Sequence, residues 1–512
     1  MNSTKLPEAL SPCANIRRSC YNLMKDPICF QNTIDEEQLG TSTSDGICTD
    51  TDTDTKGVRS VTINPDALND LAKKVSQSII EKNIQNKTPN STNGYATSNH
   101  DGAYDNNSKN IDSENVDDCI DNLNFASWDA DNWHYTGVNY KRSHLSKEQE
   151  DKQRFERVAL YVMVLDCINF CFWPTTDCDD DATCHNEIFK NSSKSKTNLL
   201  EYEHLASALK HLAEGDDVLP EQGNNNENRK ENEYDITSNG SEKGDSFVTK
   251  AENTYALAPQ NLVKLDMNTF RNMIQSRLPK DDIICSNDGG FSIPNSNERT
   301  RLIIEMTQAI LSFHSGSATN LISKANKSAD LLVHLILQNF PGFRDTAVDH
   351  NGRWVAFYKR AQILVADLWA ALGKEQLEEQ KQLVLDLCCF HDMEKITTFA
   401  DYRVPQLLRH LGILQYSPQL SLQVDNKVEL LPFSADELYI RAATIVAVDE
   451  LVQLVKIKLS QEKSSMEDSA LKVELWNDVN AVKMDWYLWN IGEKLDRNQS
   501  LGNHHLVRTI FY

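Results

Sequence analysis

The stretch Ile396–Gly412, ITTFADYRVPQLLRHLG, places a carboxylate, a tyrosine, an arginine and a proline directly before a strongly periodic apolar run. Pro405 suits the first helical turn, where its missing N–H costs nothing, and Gly412 suits a helix end. The apolar residues follow the i, i+3, i+4, i+7 spacing of one buried helix face: Val404, Leu407, Leu408 and Leu411. The stretch therefore predicts a helix over 404–412.

Asp401 stands just before the start of this predicted helix. Unpaired N–H groups and the positive end of the helix dipole favour an ionised carboxylate there by roughly 0.3–1 kcal/mol. Such a carboxylate suits a catalytic base, a nucleophile or a group that stabilises a cation. Simple capping of the helix explains the residue as well, so this segment alone leaves both interpretations open.

Helical periodicity or helix-favouring composition recurs along the chain, whereas period-two alternation is scarce. An apolar run from Phe155 to Trp173 predicts a fully buried helix with irregular ends. Together these patterns predict one mainly α-helical domain formed by residues 1–512. The remaining predicted helices lie in 61–82, 199–215, 263–278, 298–315, 318–339, 357–373, 376–390, 436–459 and 479–495.

Four polar segments interrupt the periodic regions: 34–57, 83–122, 177–197 and 216–250. They are rich in Asn, Ser, Thr and Asp and bury too little apolar area to offset the entropy of ordering. We expect disordered low-complexity inserts looped out of the helical domain, as slow loop-entropy growth allows. The third insert holds Cys178, Cys184 and His185 beside aspartates, but their spacing fits no zinc signature.

Charge and composition exclude several classes of protein. The chain has 75 Asp and Glu against 52 Lys and Arg, a net charge of −23, which argues against coating nucleic acid. No run of 18 apolar residues predicts a membrane span, and the N-terminus lacks the apolar core of a secretory signal. Twelve cysteines without such a signal predict reduced thiols in the cytoplasm. Without a phosphate-binding Gly-rich loop, GxSxG or paired CxxC, the commonest kinase, NTPase, dehydrogenase and hydrolase classes are excluded.

Two further segments could carry chemistry. Lys359 and Arg360 fall in the first turn of a predicted helix, where paired cations suit a phosphate, although a solvated basic turn is the alternative. We expect Asp367, on the same helix, to pair with a neighbouring cation. The tail 482–495, VKMDWYLWNIGEKL, sets Asp485 beside three aromatic residues. These rings form either core or a wall on which a heterocycle stacks while the carboxylate accepts two N–H groups of a guanine-like edge.

Five segments of the chain, in order, closely resemble the queuosine salvage protein family, the queuosine 5′-phosphate N-glycosylases. The resemblance runs from about 124 to 512 in LDCINFCFW, ILQNFPGFRDT, VAFYKRAQILVADLW, TTFADYRVPQLLRHLGILQYS and MDWYLWN followed by HHLVRTIFY. It implies an all-helical fold similar to that of DNA glycosylases. It also implies hydrolysis of the N-glycosidic bond of queuosine 5′-monophosphate to queuine and ribose 5-phosphate, which salvages queuine for tRNA modification.

The resemblance also assigns roles to particular residues. Asp401 is implied to be the catalytic carboxylate, and Phe399 a ring that stacks on the base. Asp485 is implied to accept hydrogen bonds from the base edge, with Trp486 beside it. His134, in DNWHY, corresponds to a histidine of the base pocket.

Asn490 stands where the family often has an acidic residue, so it can hydrogen-bond the base without adding a second charge. For the phosphate we expect Lys359 and Arg360, with Arg403 as a further candidate. The expected partner is a small nucleotide, with no direct nucleic acid or membrane contact and no metal or organic cofactor. Two alternatives stay open. One is a silent binding or scaffold protein whose inserts recruit partners, and the other is a DNA glycosylase, which would bind duplexes with steep salt dependence.

Overall fold

The computed structural model describes residues 11–25, 60–87, 116–122, 128, 133–142, 145–173, 200–215, 255–277, 293–373, 386–461 and 478–512. Helices dominate this part of the chain, and its strands are only three residues long. The mainly α-helical class predicted from the sequence is confirmed. No helix among these residues is long and apolar enough to cross a membrane.

In chain order, the described α-helices are α1 Pro12–Lys25, α2 Pro65–Lys87, α3 Val116–Asn122, α4 Lys147–Cys167, α5 Tyr202–Glu214, α6 Pro259–Leu262, α7 Met267–Gln275, α8 Ser296–Phe313, α9 Ala318–Ser323, α10 Ala329–Asn339, α11 Lys359–Leu372, α12 Arg403–His410, α13 Pro418–Asp425, α14 Ala435–Gln461 and α15 Ala481–Arg497. Single 3₁₀ turns lie at Pro341–Phe343 and Met393–Lys395. Strand β1 Val61–Ile63 pairs antiparallel with β4 Leu414–Tyr416, and β2 Thr346–Val348 pairs with β3 Trp354–Ala356.

Helix α14 lies at the centre of the fold. Every residue from Glu437 to Val448 is buried, as expected of a helix that is apolar on nearly all sides. It packs against α1, α2, α12 and α15, so elements from both ends of the chain meet on it. A second buried helix, α4, packs on α5, α8 and α11. These two helices hold α11, α12 and α15 in place around the site described below.

The buried helix predicted over 155–173 ends early, at Cys167. Residues 168–173 stay buried without being helical, and Cys171 has a positive φ of 44°. Their carbonyl groups find a partner outside the helix, because the buried Arg299 guanidinium donates to Ile168 O, to Phe170 O at 2.6 Å and to Cys171 O at 3.0 Å. A distant arginine therefore replaces the helical hydrogen bonds that the local sequence favours.

Two other predicted helices are interrupted. The segment 318–339 forms α9 and α10, separated by Asn326 and Lys327 in the left-handed region and by Ser328, whose hydroxyl caps α10. The segment 263–278 contains only α7, because Asp266 caps a new helix by accepting from Thr269 N at 2.7 Å. Within the predicted helix 376–390, residues 386–390 form a turn, and the rest lies outside the described residues.

The predicted inserts 34–57, 177–197 and 216–250 lie outside the described residues, and so do Cys178, Cys184 and His185. The predicted insert 83–122 is too wide. Residues 83–87 complete α2, and α3 follows at 116–122. Helix α3 is anchored through Ile120 O, which accepts from Tyr487 Oη at 2.9 Å and Ser78 Oγ at 3.1 Å.

Candidate active site

A cavity opens between α11, α15, the loop after α4 and the segment that leads into α12. Its walls are mostly aromatic, with a small number of converging polar groups, which is the usual composition of a small-molecule site. The aromatic rings include Trp128, Trp133, Phe172, Tyr202, Phe399 and Trp486. The polar side chains include Asn169, Lys359, Asp367, Asp401, Asp485 and Asn490.

Asp401 both caps a helix and faces this cavity. Its Oδ1 accepts the backbone N–H groups of Arg403 at 3.0 Å and Val404 at 3.2 Å, at the first turn of α12. No hydrogen bond from the described residues reaches Oδ2, and the side chain lines the cavity. The capping interpretation is therefore correct for one oxygen, while the other is available to a ligand.

A buried ion pair fixes the backbone around Asp401. Arg441 of α14 donates to both oxygens of Asp345, at 2.9 and 2.5 Å, and its Nε donates to Ala400 O at 3.1 Å. Asp345 Oδ2 also accepts the backbone N–H of Lys359 at 3.2 Å. One ion pair thus positions the residue before Asp401 and the first residue of α11.

Lys359 supplies positive charge to the cavity. Its Nζ donates to Asn169 O at 3.3 Å. Burial lowers the pKa of the Lys359 ammonium, while the carboxyls of Asp401 and Asp166 oppose that shift. Conversely, burial raises the pKa of Asp401, and Lys359 is the strongest influence against that rise. The two groups lie close enough to stabilise each other's charged form.

Asp485, on α15, is a second buried carboxyl of the cavity. Its Oδ1 accepts from Thr398 Oγ1 and from Phe399 N, the latter at 2.8 Å. Burial, together with the negative charge of Asp401, raises the pKa of Asp485 to about 8. The next residue, Trp486, stacks on Trp369 with ring centroids 5.8 Å apart, so its position in the wall is fixed.

His134 lies in the wall with Trp128 and Tyr202. Its ring stacks on Trp128 at 4.3 Å, and its Nε2 lies 2.9 Å from Tyr202 Oη. The cavity thus brings together His134, Phe399, Asp401, Asp485, Trp486 and Asn490, the residues to which the resemblance gives catalytic or base-binding roles.

Sequence reasoning missed other lining residues, notably Asn169, Tyr202 and Asp367. Asp367 does not pair with a cation as expected, because its Oδ1 accepts from Trp128 Nε1 at 3.0 Å and no ion pair reaches it from the described residues. One signal was present: Lys359, Ile363 and Asp367 recur every four residues, which places them on one face of a helix. Nothing in the sequence marks Asn169 or Tyr202 in this way.

The family model of the queuosine salvage protein matches residues 146–274 and 250–512. The chain is 31% identical over 385 residues to the Queuosine 5'-phosphate N-glycosylase/hydrolase of Dictyostelium discoideum, which covers 75% of this chain and 85% of that protein. This chain belongs to the queuosine salvage protein family. Proteins of the same name from Sphaerobacter thermophilus and Mus musculus are 35% and 34% identical over 46% and 45% of this chain, and 64% and 62% of their own lengths. The resemblance seen in the sequence is confirmed.

Two basic residues that the sequence offered for a phosphate do not line the cavity of this family member. Arg360 is buried with its guanidinium donating to Cys167 O and Gly342 O, 4.8 Å above the Phe343 ring. Arg403 is held by Glu493 at 2.6 Å and Asp496 at 2.9 Å. Both cations are already engaged by protein groups. Of the described residues that line the cavity, Lys359 carries the one Lys or Arg charge.

The arrangement suits chemistry at a carbon that becomes positively charged. A carboxylate with one uncommitted oxygen and an ammonium line the same cavity, and aromatic faces can hold a flat ring there. The second carboxyl, Asp485, is positioned by Thr398 and Phe399 to meet the polar edge of that ring. Among the described residues, no group of three or more His, Cys, Asp or Glu side chains is arranged for a metal ion.

Proposed function

We propose that this chain hydrolyses the N-glycosidic bond of queuosine 5′-monophosphate and releases queuine and ribose 5-phosphate, so that queuine is salvaged for tRNA modification. The name shared by its relatives supports this activity. The observation that carries the proposal is Asp401, a buried carboxylate with one uncommitted oxygen in an aromatic cavity that Lys359 also lines.

Asp401 acts on the sugar. Breaking the bond between C1′ and the base builds positive charge on the ribose, and an ionised carboxylate below C1′ stabilises it, attacks it or orients water. Lys359 supports this role because its charge opposes the effect of burial on the Asp401 pKa. Water is added across the bond, so the hydroxyl goes to C1′ and the proton to the departing base.

The base lies between the aromatic walls, with Phe399 and Trp486 against its faces. Asp485 meets the N–H groups of its six-membered ring, and His134 and Asn490 complete the pocket. A 7-deazapurine has carbon in place of the N7 that a purine can protonate, so the leaving base must be stabilised through another edge. Asp485, whose pKa is raised to about 8, is suited to share a proton with that edge.

The 5′-phosphate is assigned to Lys359 alone, because Arg360 and Arg403 are already engaged by protein groups. The partner of the site is a free nucleotide rather than nucleic acid or membrane, which the net charge of −23 supports. We also propose a cytoplasmic setting, which the buried thiols of Cys13, Cys20 and Cys167 support. We further propose one catalytic domain over 1–512, supported by the packing of α1, α2 and α15 on α14.

The test is release of queuine from queuosine 5′-monophosphate, followed by chromatography with mass detection. Asp401→Asn keeps an oxygen for the two capping N–H groups but removes the charge, so we expect a folded protein with turnover reduced about 1000-fold or more. Asp266→Asn is the matched control, because it makes the same change at the cap of α7, outside the cavity.

Wild-type protein that folds, binds the nucleotide and releases nothing would contradict the proposal and favour a silent binding protein. Cleavage of duplex DNA, with binding that weakens steeply as salt rises, would instead favour a DNA glycosylase. Turnover that survives in Asp401→Asn would remove Asp401 from its proposed role.

A further inference from the structure

One face of α11 carries a charged group at each end. Lys359, Ile363 and Asp367 are spaced by four residues and all line the cavity. Eight residues of helix span about 12 Å, so Asp367 lies about two turns from Lys359. The proposed chemistry at the sugar uses only the Lys359 end and leaves Asp367 without a role.

The Asp367 carboxyl is incompletely satisfied. Its side chain is on a residue only 2% exposed, and Oδ1 accepts from Trp128 Nε1 at 3.0 Å. Oδ2 has no hydrogen-bond partner among the described residues. An unpartnered buried polar atom is costly, and such atoms are rare in folded proteins. Because this one belongs to a residue that lines the cavity, a ligand group is the natural partner.

The surroundings of Asp367 indicate what kind of group would bind. Trp128 is held by its hydrogen bond to Asp367 and by stacking on His134, and Trp369, two residues after Asp367, stacks on Trp486. Aromatic faces combined with a carboxylate favour an organic ammonium, which gains from both. Burial and the nearby Asp166 carboxyl raise the pKa of Asp367. A ligand ammonium would oppose this rise, because its positive charge stabilises the ionised carboxylate.

We infer that Asp367 binds a positively charged amine carried by the ligand on the side of the base remote from the reacting sugar carbon. This inference rests on the proposed function. In queuosine 5′-monophosphate the group is the secondary ammonium in the arm of the 7-deaza ring. Asp367 then acts as a specificity residue that distinguishes nucleotides bearing the charged arm from plain 7-deazaguanosine nucleotides.

The experiment compares two substrates, queuosine 5′-monophosphate and an analogue in which the amine of the arm is replaced by an ether oxygen of similar size. Asp367→Asn keeps an oxygen for Trp128 but cannot carry charge. We expect kcat/KM of this variant to fall about 10- to 100-fold for the amine substrate and less than about threefold for the ether. Asp330→Asn is the control, because Asp330 is an equally buried carboxyl that lies outside the cavity and whose Oδ2 is 3.7 Å from Lys395 Nζ.

An equal fall for both substrates would overturn the inference, since it would mean that Asp367 only supports the wall. No fall for the amine substrate would overturn it too. Calorimetry with wild-type protein provides a test that needs neither turnover nor a stable variant. Free queuine should bind at least about tenfold more tightly than its ether analogue, and equal affinity would contradict the inference. If free queuine binds more tightly than its ether analogue but the nucleotide is not hydrolysed, the proposed hydrolysis would be contradicted and the amine site would still stand.

Discussion

Buried charged groups differ in their partners on the two sides of the segment that carries Asp401. Behind it, Arg441 and Asp345 form a bidentate ion pair whose side chains are 1% and 2% exposed. In front of it, Asp485 and Asp367 accept hydrogen bonds, but no cation among the described residues forms an ion pair with either. The same part of the molecule therefore contains one compensated charge pair and two carboxyls that form no ion pair with the described residues.

This difference distinguishes charges that hold the structure from charges that await a ligand. The Arg441 pair fixes backbone atoms at Ala400 and Lys359, and its loss would leave an uncompensated ion in the core. The unpaired carboxyls do not hold separate elements together through ion pairs, and burial raises their pKa values. Removing a paired charge should thus lower stability, whereas removing an unpaired one should lower function and raise stability.

Arg441→Met should give the largest effect on stability. It leaves Asp345 buried without its partner, so we expect the free energy of unfolding to fall by about 3–5 kcal/mol, measured by chemical denaturation. Arg409→Met is the matched control, because Arg409 also pairs bidentately with an aspartate, but at the surface, where less than about 1 kcal/mol should be lost. Equal losses in both variants would contradict the structural role given to the Arg441 pair.

Lys359→Met tests the cation of the cavity, which should contribute to function rather than to stability. We expect kcat/KM for queuosine 5′-monophosphate to fall about 10- to 100-fold, and to fall less for the nucleoside queuosine, which lacks the phosphate. The free energy of unfolding should not decrease, because burial disfavours the Lys359 ammonium. Lys324→Met, at an exposed lysine outside the cavity, is the control.

The ratio between nucleotide and nucleoside decides between two roles for Lys359. An equal fall for both substrates would mean that its charge serves Asp401 rather than the phosphate. A larger fall for the nucleotide would support the assignment of the phosphate to this lysine.

The sequence predicted those parts of the fold that depend on local signals. The helix expected over 404–412 is α12, Arg403–His410, because apolar spacing, an early proline and a terminal glycine act within one segment. The end of α4 could not be predicted in this way. It depends on Arg299, which captures carbonyls about 130 residues earlier in the chain. The break between α9 and α10 likewise depends on left-handed Asn326 and Lys327, whose sequence does not require that conformation.

The candidate site shows the same limit. Resemblance to a family assigned Asp401, Asp485 and their neighbours to one site. Periodicity alone left a purely structural role open for each of them. Whether a basic residue is available for a ligand depends on remote partners, such as Cys167 O for Arg360 and Glu493 for Arg403. The four-residue spacing could have placed Asp367 on the face of Lys359, but only the burial of its second oxygen distinguishes it from an ordinary helix carboxyl.

Asp485→Asn should change stability with the opposite sign to that of Arg441→Met. Burial raises the folded pKa of Asp485 from about 4 to about 8, so the carboxyl favours folding below pH 4 and loses that contribution as pH rises to 8. Asparagine keeps an oxygen for Thr398 and Phe399 without this loss. The variant should therefore match wild type near pH 4 and be more stable than wild type near pH 8, while turnover falls.

Thermal unfolding followed at several pH values measures the difference, and Asp266→Asn, at a cap where no such gain is expected, serves as the control. A gain that is the same at pH 4 and pH 8 would indicate improved packing instead of a removed charge. A loss of stability near pH 8 would mean that Asp485 has a countercharge in solution and belongs with the paired set. A gain that grows with pH, together with impaired turnover, would place Asp485 among the charges that await a ligand, because only a group retained for function would be kept at a cost to the fold.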